Sequence, residues 1–273
     1  TLLPIFFDTV AGYTADSVSS MSTWGYATSI AMLIVALAAP FLGVFGDIRG
    51  MRKKLFRFFM LLGVAACAGM AFTPGMDFTS GPVAAGKVAS LILILYIVSV
   101  IGFDASAIYY DAFLTDVTTE DRMDKVSTMG YGLGYIGGST IPLLIFLIMN
   151  LVGVPMLTCL AFVFGLTAVW WLAFSLPLLK NCEQTSGKPY EKGDVARSIK
   201  GVGTTIKEII ANKPMLIYIL SYFFYIDGVH TVISMATTYG TNLGLDSTGM
   251  MLALLLVQIL GLPFCLLYIK CSE

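Results

Sequence analysis

The chain has 273 residues, of which 57% are hydrophobic and only 12% charged, and its mean hydropathy is strongly positive. That is more apolar surface than one water-soluble core needs, so the sequence reads as an integral membrane protein. A net charge of -1 supplies no basic field for nucleic acid. Cys67, Cys159, Cys182, Cys265 and Cys271 contain no C-x-x-C pair, so neither disulfides nor a metal site is expected.

Crossing about 30 Å of hydrocarbon takes roughly 20 helical residues. Thr1–Phe7 is too short and reads as the end of a truncated helix. Seven complete spans follow: Trp24–Phe45, Leu55–Thr73, Val88–Leu114, Val126–Leu151, Pro155–Leu179, Met215–Tyr239 and Met250–Ile269. Open strands cannot face lipid, and no alternating barrel pattern is present, so the expected class is an all-α membrane bundle. Threading the spans alternately puts fifteen of the sixteen Lys and Arg residues on one side, among them Lys188 and Lys192, and only Lys87 on the other. Basic residues favour the cytoplasm, which fixes the orientation.

One connection is long and polar, Lys180–Lys213. Within it Val195, Ile199, Val202, Ile206 and Ile209 recur at helical spacing among Arg197, Lys200 and Lys207. The spacing fits both a helix packed on the cytoplasmic ends of the bundle and one lying on anionic lipid, and we favour the first.

Ionisable residues inside a span are costly and mark candidate functional sites. Asp104 and Asp111 are seven residues apart, about 20° around a helix and about 10 Å along it. Asp104 is placed deep and is the pathway candidate; Asp111 lies at the cytoplasmic mouth, where an end cap would also explain it. Asp227 and His230, the single histidine, share one side of a helix near the midplane. Burial raises a carboxyl pKa and lowers an imidazole pKa, so such a pair can exchange a proton, although a lone histidine can also be a satisfied packing residue. Gly130, Gly134 and Gly138 recur every four residues, a ladder for close helix packing, with Pro142 placed to bend the helix beyond them. Tyr135 on the same helix can offer a hydroxyl to a polar solute. No H-E-x-x-H, G-x-S-x-G or P-loop occurs, so no enzyme and no cofactor are expected.

The loop after the first complete span carries Gly43, Gly46, Asp47, Gly50, Arg52 and Lys53. It resembles the helix 2–3 loop of the major facilitator superfamily, G-x-x-x-D-x-x-G-x-R-K, with Ile48 and Met51 where Arg is usual. In that superfamily the aspartate helps to latch the two halves. The blocks YYDAFLTDV from Tyr109, DRMDKVSTMGYGLGYIGG from Asp121, with Arg122 beside it, and YFFYIDGVHTVISMATTYGTNLGL from Tyr222 resemble its vacuolar amino-acid effluxer-like branch, which has bacterial members.

The resemblance implies a major facilitator-type bundle with a partial helix 1 plus helices 2 to 8. Residues 1–179 would form the N-terminal half, 180–213 a central cytoplasmic loop, and 214–273 the first two helices of the second half. It further implies a monomeric secondary transporter of the plasma, inner or vacuolar membrane. Its partners would be the lipid bilayer and a small-molecule substrate, amino acids foremost, with export and proton coupling as expectations. Asp104 and Tyr135 on one half would face Asp227 and His230 on the other. A non-transporting scaffold or receptor of the same fold, and a drug or sugar efflux transporter, are the alternatives.

Overall fold

The computed structural model describes residues 2–14, 20–187, 189 and 194–272. Thr1, Lys188 and Lys192 lie outside the described residues, and no strand occurs among them. The helices are α1 (Leu2–Ala11), α2 (Ser20–Gly46), α3 (Arg52–Met70), α4 (Pro82–Ala112), the single turn α5 (Leu114–Val117), α6 (Met123–Gly134), α7 (Ile141–Leu151), α8 (Met156–Asn181), α9 (Asp194–Ala211), α10 (Lys213–Asn242) and α11 (Ser247–Ser272). In lipid each backbone N–H and C=O has to be satisfied within its own segment, which is why apolar runs of this length settle as helices.

Among the described residues six helical segments are long and apolar enough to cross a membrane, and each answers to a predicted span. The seventh, Val126–Leu151, departs from a single helix. It consists of α6, a wide π turn over Tyr135–Thr140, and α7. Pro142 has no N–H to give to the carbonyl one turn back, and three glycines in the preceding turns stiffen nothing, so the ladder opens there. Two side chains take up backbone carbonyls in the opened turn. Trp170 Nε1 of α8 donates to Gly137 O at 2.6 Å, and Thr140 Oγ1 donates to Tyr135 O at 2.7 Å.

Two apolar clusters hold α1, α2, α3, α4, α7 and α8 together. One gathers Phe6, Phe7 and Val10 of α1 with Trp24, Met70, Phe78, Val88, Ile92, Phe146, Leu160 and Phe164, toward the outer side. The other, toward the cytoplasm, joins Phe56 and Met60 of α3 to Tyr109 and Phe113. Between them α3 and α4 meet backbone to backbone. A Cβ on Gly102 would stand 2.5 Å from the Gly63 nitrogen and 2.6 Å from its Cα, and the Trp171 ring of α8 fills the place where a Gly63 Cβ would go. Small residues let helices approach this closely where lipid offers no hydrophobic drive.

That close approach was expected from the ladder Gly130, Gly134 and Gly138, and there the structure corrects the sequence reading. A Cβ on Gly134 or Gly138 would meet nothing within 4 Å, and one on Gly130 only the Tyr110 hydroxyl at 3.9 Å. The contact of α6 with α11 falls instead at Gly132, where a Cβ would lie 3.0 Å from Leu262. The four-residue repeat names one face of the helix, but the face that packs is the opposite one, about 200° away.

The outer loop before α4 is tied by Asp77, which accepts from the Thr79 and Ser80 backbone N–H groups at 3.0 and 3.1 Å. The Ser80 hydroxyl and these two amides hold its carboxyl below the usual carboxylate range. At the other surface α9 runs into α10 through Asn212 alone, and Asn212 Oδ1 caps α10 by accepting from the Met215 N–H at 3.3 Å.

Gly102→Ala is expected to force α3 and α4 apart and to cost about 1–3 kcal/mol, seen as a lower melting temperature of the purified protein. Gly138→Ala, with open space around it, should leave the melting temperature unchanged or raise it slightly.

Candidate functional site

Two polar constellations stand out, one toward each surface. The first is a cavity of about 490 Å³ between the outer halves of α2 and α10. On α2, Ser22, Tyr26, Thr28 and Ser29 line it; on α10, Asp227, His230, Thr231 and Ser234 do so. Apolar residues dominate both helices, and the polar ones fall on the sides that face each other because three- and four-residue steps repeat on one face. Met235 closes over Gly25, its Cε 3.6 Å from where a Cβ would stand, so a glycine sets how near the two helices come.

Asp104 approaches from α4. It is half-buried and, although not among the lining residues, within electrostatic reach of His230, so the sequence-predicted residues Asp104, Asp227 and His230 come near one another from two helices, α4 and α10. His230 is the member common to both relationships, lining the cavity beside Asp227 and answering Asp104. Behind the wall, Tyr96 of α4 stacks against Trp24 with ring centroids 4.2 Å apart, and its hydroxyl meets Thr28 Oγ1 at 3.2 Å. Tyr135 is not among the lining residues. Its ring lies over Gly261 of α11, where an added Cβ would come within 2.6 Å of it, so Tyr135 serves the seam between α11 and the π turn.

The second constellation is a clasp on the cytoplasmic face. Arg52, 5% exposed, opens α3 and turns inward. Its Nη1 reaches Asp116 Oδ2 at 2.5 Å, Ala112 O at 2.9 Å and Ser186 Oγ at 3.1 Å, with the guanidinium 5.8 Å from the Phe113 ring centroid. Asp116 is fully buried in its side chain. Its other oxygen accepts from the Thr185 N–H and hydroxyl at 3.1 and 2.9 Å and from the Ser186 N–H and hydroxyl at 2.9 and 2.8 Å.

Gln184 completes the clasp. Its carbonyl accepts from the Gly50 and Arg52 N–H groups at 2.8 and 3.3 Å, and its amide donates to Gly46 O at 3.0 Å. Gly50 has a φ of 81°, the left-handed turn that directs its N–H at Gln184 and that glycine adopts without strain. The first residues after α8 are thereby fastened to the α2–α3 loop.

Asp47, read from the loop motif as the acceptor, is 82% exposed in its side chain and 4.0 Å from Arg52. Within this chain the ion pair of the loop belongs to Arg52 and Asp116. Of the remaining loop residues, Gly43 has open space around it and Lys53 is half-buried. Asp121 and Arg122 sit exposed on the short turn before α6, and Asp111 is exposed at the cytoplasmic end of α4, in electrostatic reach of Tyr131.

Sequence reasoning missed Asp116, Gln184, Thr185, Ser186 and Tyr96. Asp116 was inside a block already singled out and five residues beyond Asp111; its distance from the nearest span centre was the available signal. Gln184–Ser186 carry no charge and no periodicity, so nothing in one sequence marks them.

Asp116→Ala is expected to leave a buried guanidinium without its counter-ion, costing about 3–5 kcal/mol, with part recovered when Arg52 is also replaced by Met. Asp47→Ala should change stability by less than about 0.5 kcal/mol. Thermal melts of the four purified proteins check both.

Residues 9–269 match the family described as vacuole effluxer Atg22 like. The chain is 37% identical over its whole length to YxiO of Bacillus subtilis, an MFS-type transporter by name, and covers 62% of that protein. It is 26% identical to Autophagy-related protein 22-1 of Penicillium rubens over half of this chain and a quarter of that one. The same-named protein of Aspergillus niger is likewise 26% identical, over 50% of this chain and 24% of its own length. This chain therefore spans about three fifths of the bacterial relative and far less of the fungal ones. No solved structure matches.

Proposed function

The chain belongs to the Atg22-like vacuole effluxer family, and from that premise we propose that it is part of a secondary transporter that exports amino acids or related small solutes by alternating access. It is a multi-pass, all-helical membrane protein. The observation that carries the proposal is the cavity between α2 and α10, with Asp227 and His230 on its wall and Asp104 in reach of the imidazole. A solute site near the midplane, between helices that belong to different halves, is where such folds hold their cargo.

The geometry supports a division of roles. Asp227 lines the cavity and meets the solute, while His230, beside it on the wall and within electrostatic reach of Asp104, can relay a proton to that carboxylate as the halves rock. About 490 Å³ is in the range of small-molecule sites and holds a solute of amino-acid size. The clasp at the cytoplasmic face fixes α3, α4 and the start of the central loop as one body, which alternating access requires of each half.

The test is flux of labelled leucine through proteoliposomes containing the intact protein. Asp227→Asn should lower flux by about tenfold or more at equal protein content; undiminished flux would take Asp227 out of the mechanism. Asp104→Asn is expected to abolish accumulation driven by an imposed pH gradient while leaving solute exchange at equal pH in place, which separates coupling from binding.

A further inference from the structure

The hydrogen bonds around the α2–α10 cavity run in one direction. Thr28 has a single hydroxyl hydrogen and gives it to the Trp24 carbonyl at 3.0 Å. The 3.2 Å contact of Thr28 Oγ1 with Tyr96 Oη is then donated by Tyr96, whose only hydroxyl hydrogen is thereby used. Ser234 spends its hydrogen on its own helix, donating to His230 O at 2.8 Å. Two hydroxyls of the wall, and a third directly behind it, thus offer oxygen lone pairs and no free hydrogen. Ser22, Ser29 and Thr231 add hydroxyls that can turn either way.

The charges point the same way. Asp227 lines the cavity, Asp104 lies in reach of His230, and among the described lining residues none is Lys or Arg. A solute carboxylate would meet the like charge of Asp227, with neutral hydroxyls and the imidazole to answer it and no Lys or Arg among the described lining residues, in a medium where an unrelieved charge is expensive. An ammonium group would find a carboxylate, hydroxyl oxygens and the face of Tyr26, each favourable to a cation. Met21 and Met32 of α2 and Met235 of α10 leave room for a flexible apolar tail beyond it.

We propose that this cavity recognises its solute through a protonated amine and does not need the solute's carboxylate, so that small aliphatic amines and amino-acid amides are ligands alongside amino acids. The inference rests on the transport reading for its site, but it makes its own claim about which end of the solute is held.

Four probes of one carbon skeleton test it on the intact protein: leucine, leucinamide, isoamylamine and 4-methylpentanoate, compared by thermal shift and by calorimetric affinity. Leucinamide and isoamylamine should raise the melting temperature and 4-methylpentanoate should not. Asp227→Asn should weaken leucinamide binding by about tenfold or more, and Asp227→Glu should recover part of it. Stabilisation by 4-methylpentanoate without the amines, stabilisation by none of the four, or leucinamide affinity unchanged in Asp227→Asn would each overturn the assignment. The wild-type series decides the matter even if Asp227→Asn melts too low to measure. Leucine flux in proteoliposomes is scored separately: flux that persists while the carboxylate probe binds and the amines do not overturns the amine assignment alone.

Discussion

Everything in the bundle is indexed to the place where α3 and α4 touch at Gly63 and Gly102. Because lipid and side chain are equally apolar, helices in a membrane gain from contact area and from little else. Two glycines facing each other bring the backbones together and let Trp171 of α8 lie across the crossing. Asp104 follows Gly102 by two residues and Tyr96 precedes it by six. The depth and rotation of both polar side chains are therefore set by a contact that contains no polar atom of a side chain at all. The clusters on either side, around Phe6 and Trp24 in one direction and Phe56 and Tyr109 in the other, fill what the crossing leaves open.

The two polar constellations solve the same problem in opposite ways. Buried polar groups have to be paired, and charges more so. The clasp does this internally, with the Asp116 carboxylate accepting from Arg52, Thr185 and Ser186 and the Arg52 and Gly50 amides answered by Gln184. Both Asp116 oxygens are occupied, and of the guanidinium nitrogens the Arg52 Nε alone is buried without a partner. On the cavity wall the Thr28 and Ser234 hydrogens are spent on their own helices, which leaves oxygen lone pairs and the Asp227 carboxylate on that surface.

The outline of the molecule was legible in the sequence because its cause is local. Apolar run length gives the spans, the side on which basic residues fall gives their direction, and the rarity of charge inside them singles out Asp104, Asp227 and His230. What was not legible depends on which helix lies beside which. The spacing of Gly130, Gly134 and Gly138 is that of a packing ladder, yet only a neighbour decides whether a ladder is climbed, and the neighbour meets Gly132. Gly63 and Gly102, unremarkable singly, matter because they meet. The loop motif likewise draws the eye to Asp47, whereas the partner of Arg52 comes from the end of another helix, Asp116, and its further support from neutral residues more than a hundred positions away.

The junction at Asn212 gives α9 a mechanical meaning beyond its amphipathic face. With a single residue between α9 and α10, and that residue bonded back to Met215, the joint has no slack. The eighteen residues of α9 then form a lever of about 27 Å fixed to the foot of α10. No loop stands between that lever and α10 to absorb a movement of either, and α10 carries Asp227 and His230 about four turns further on.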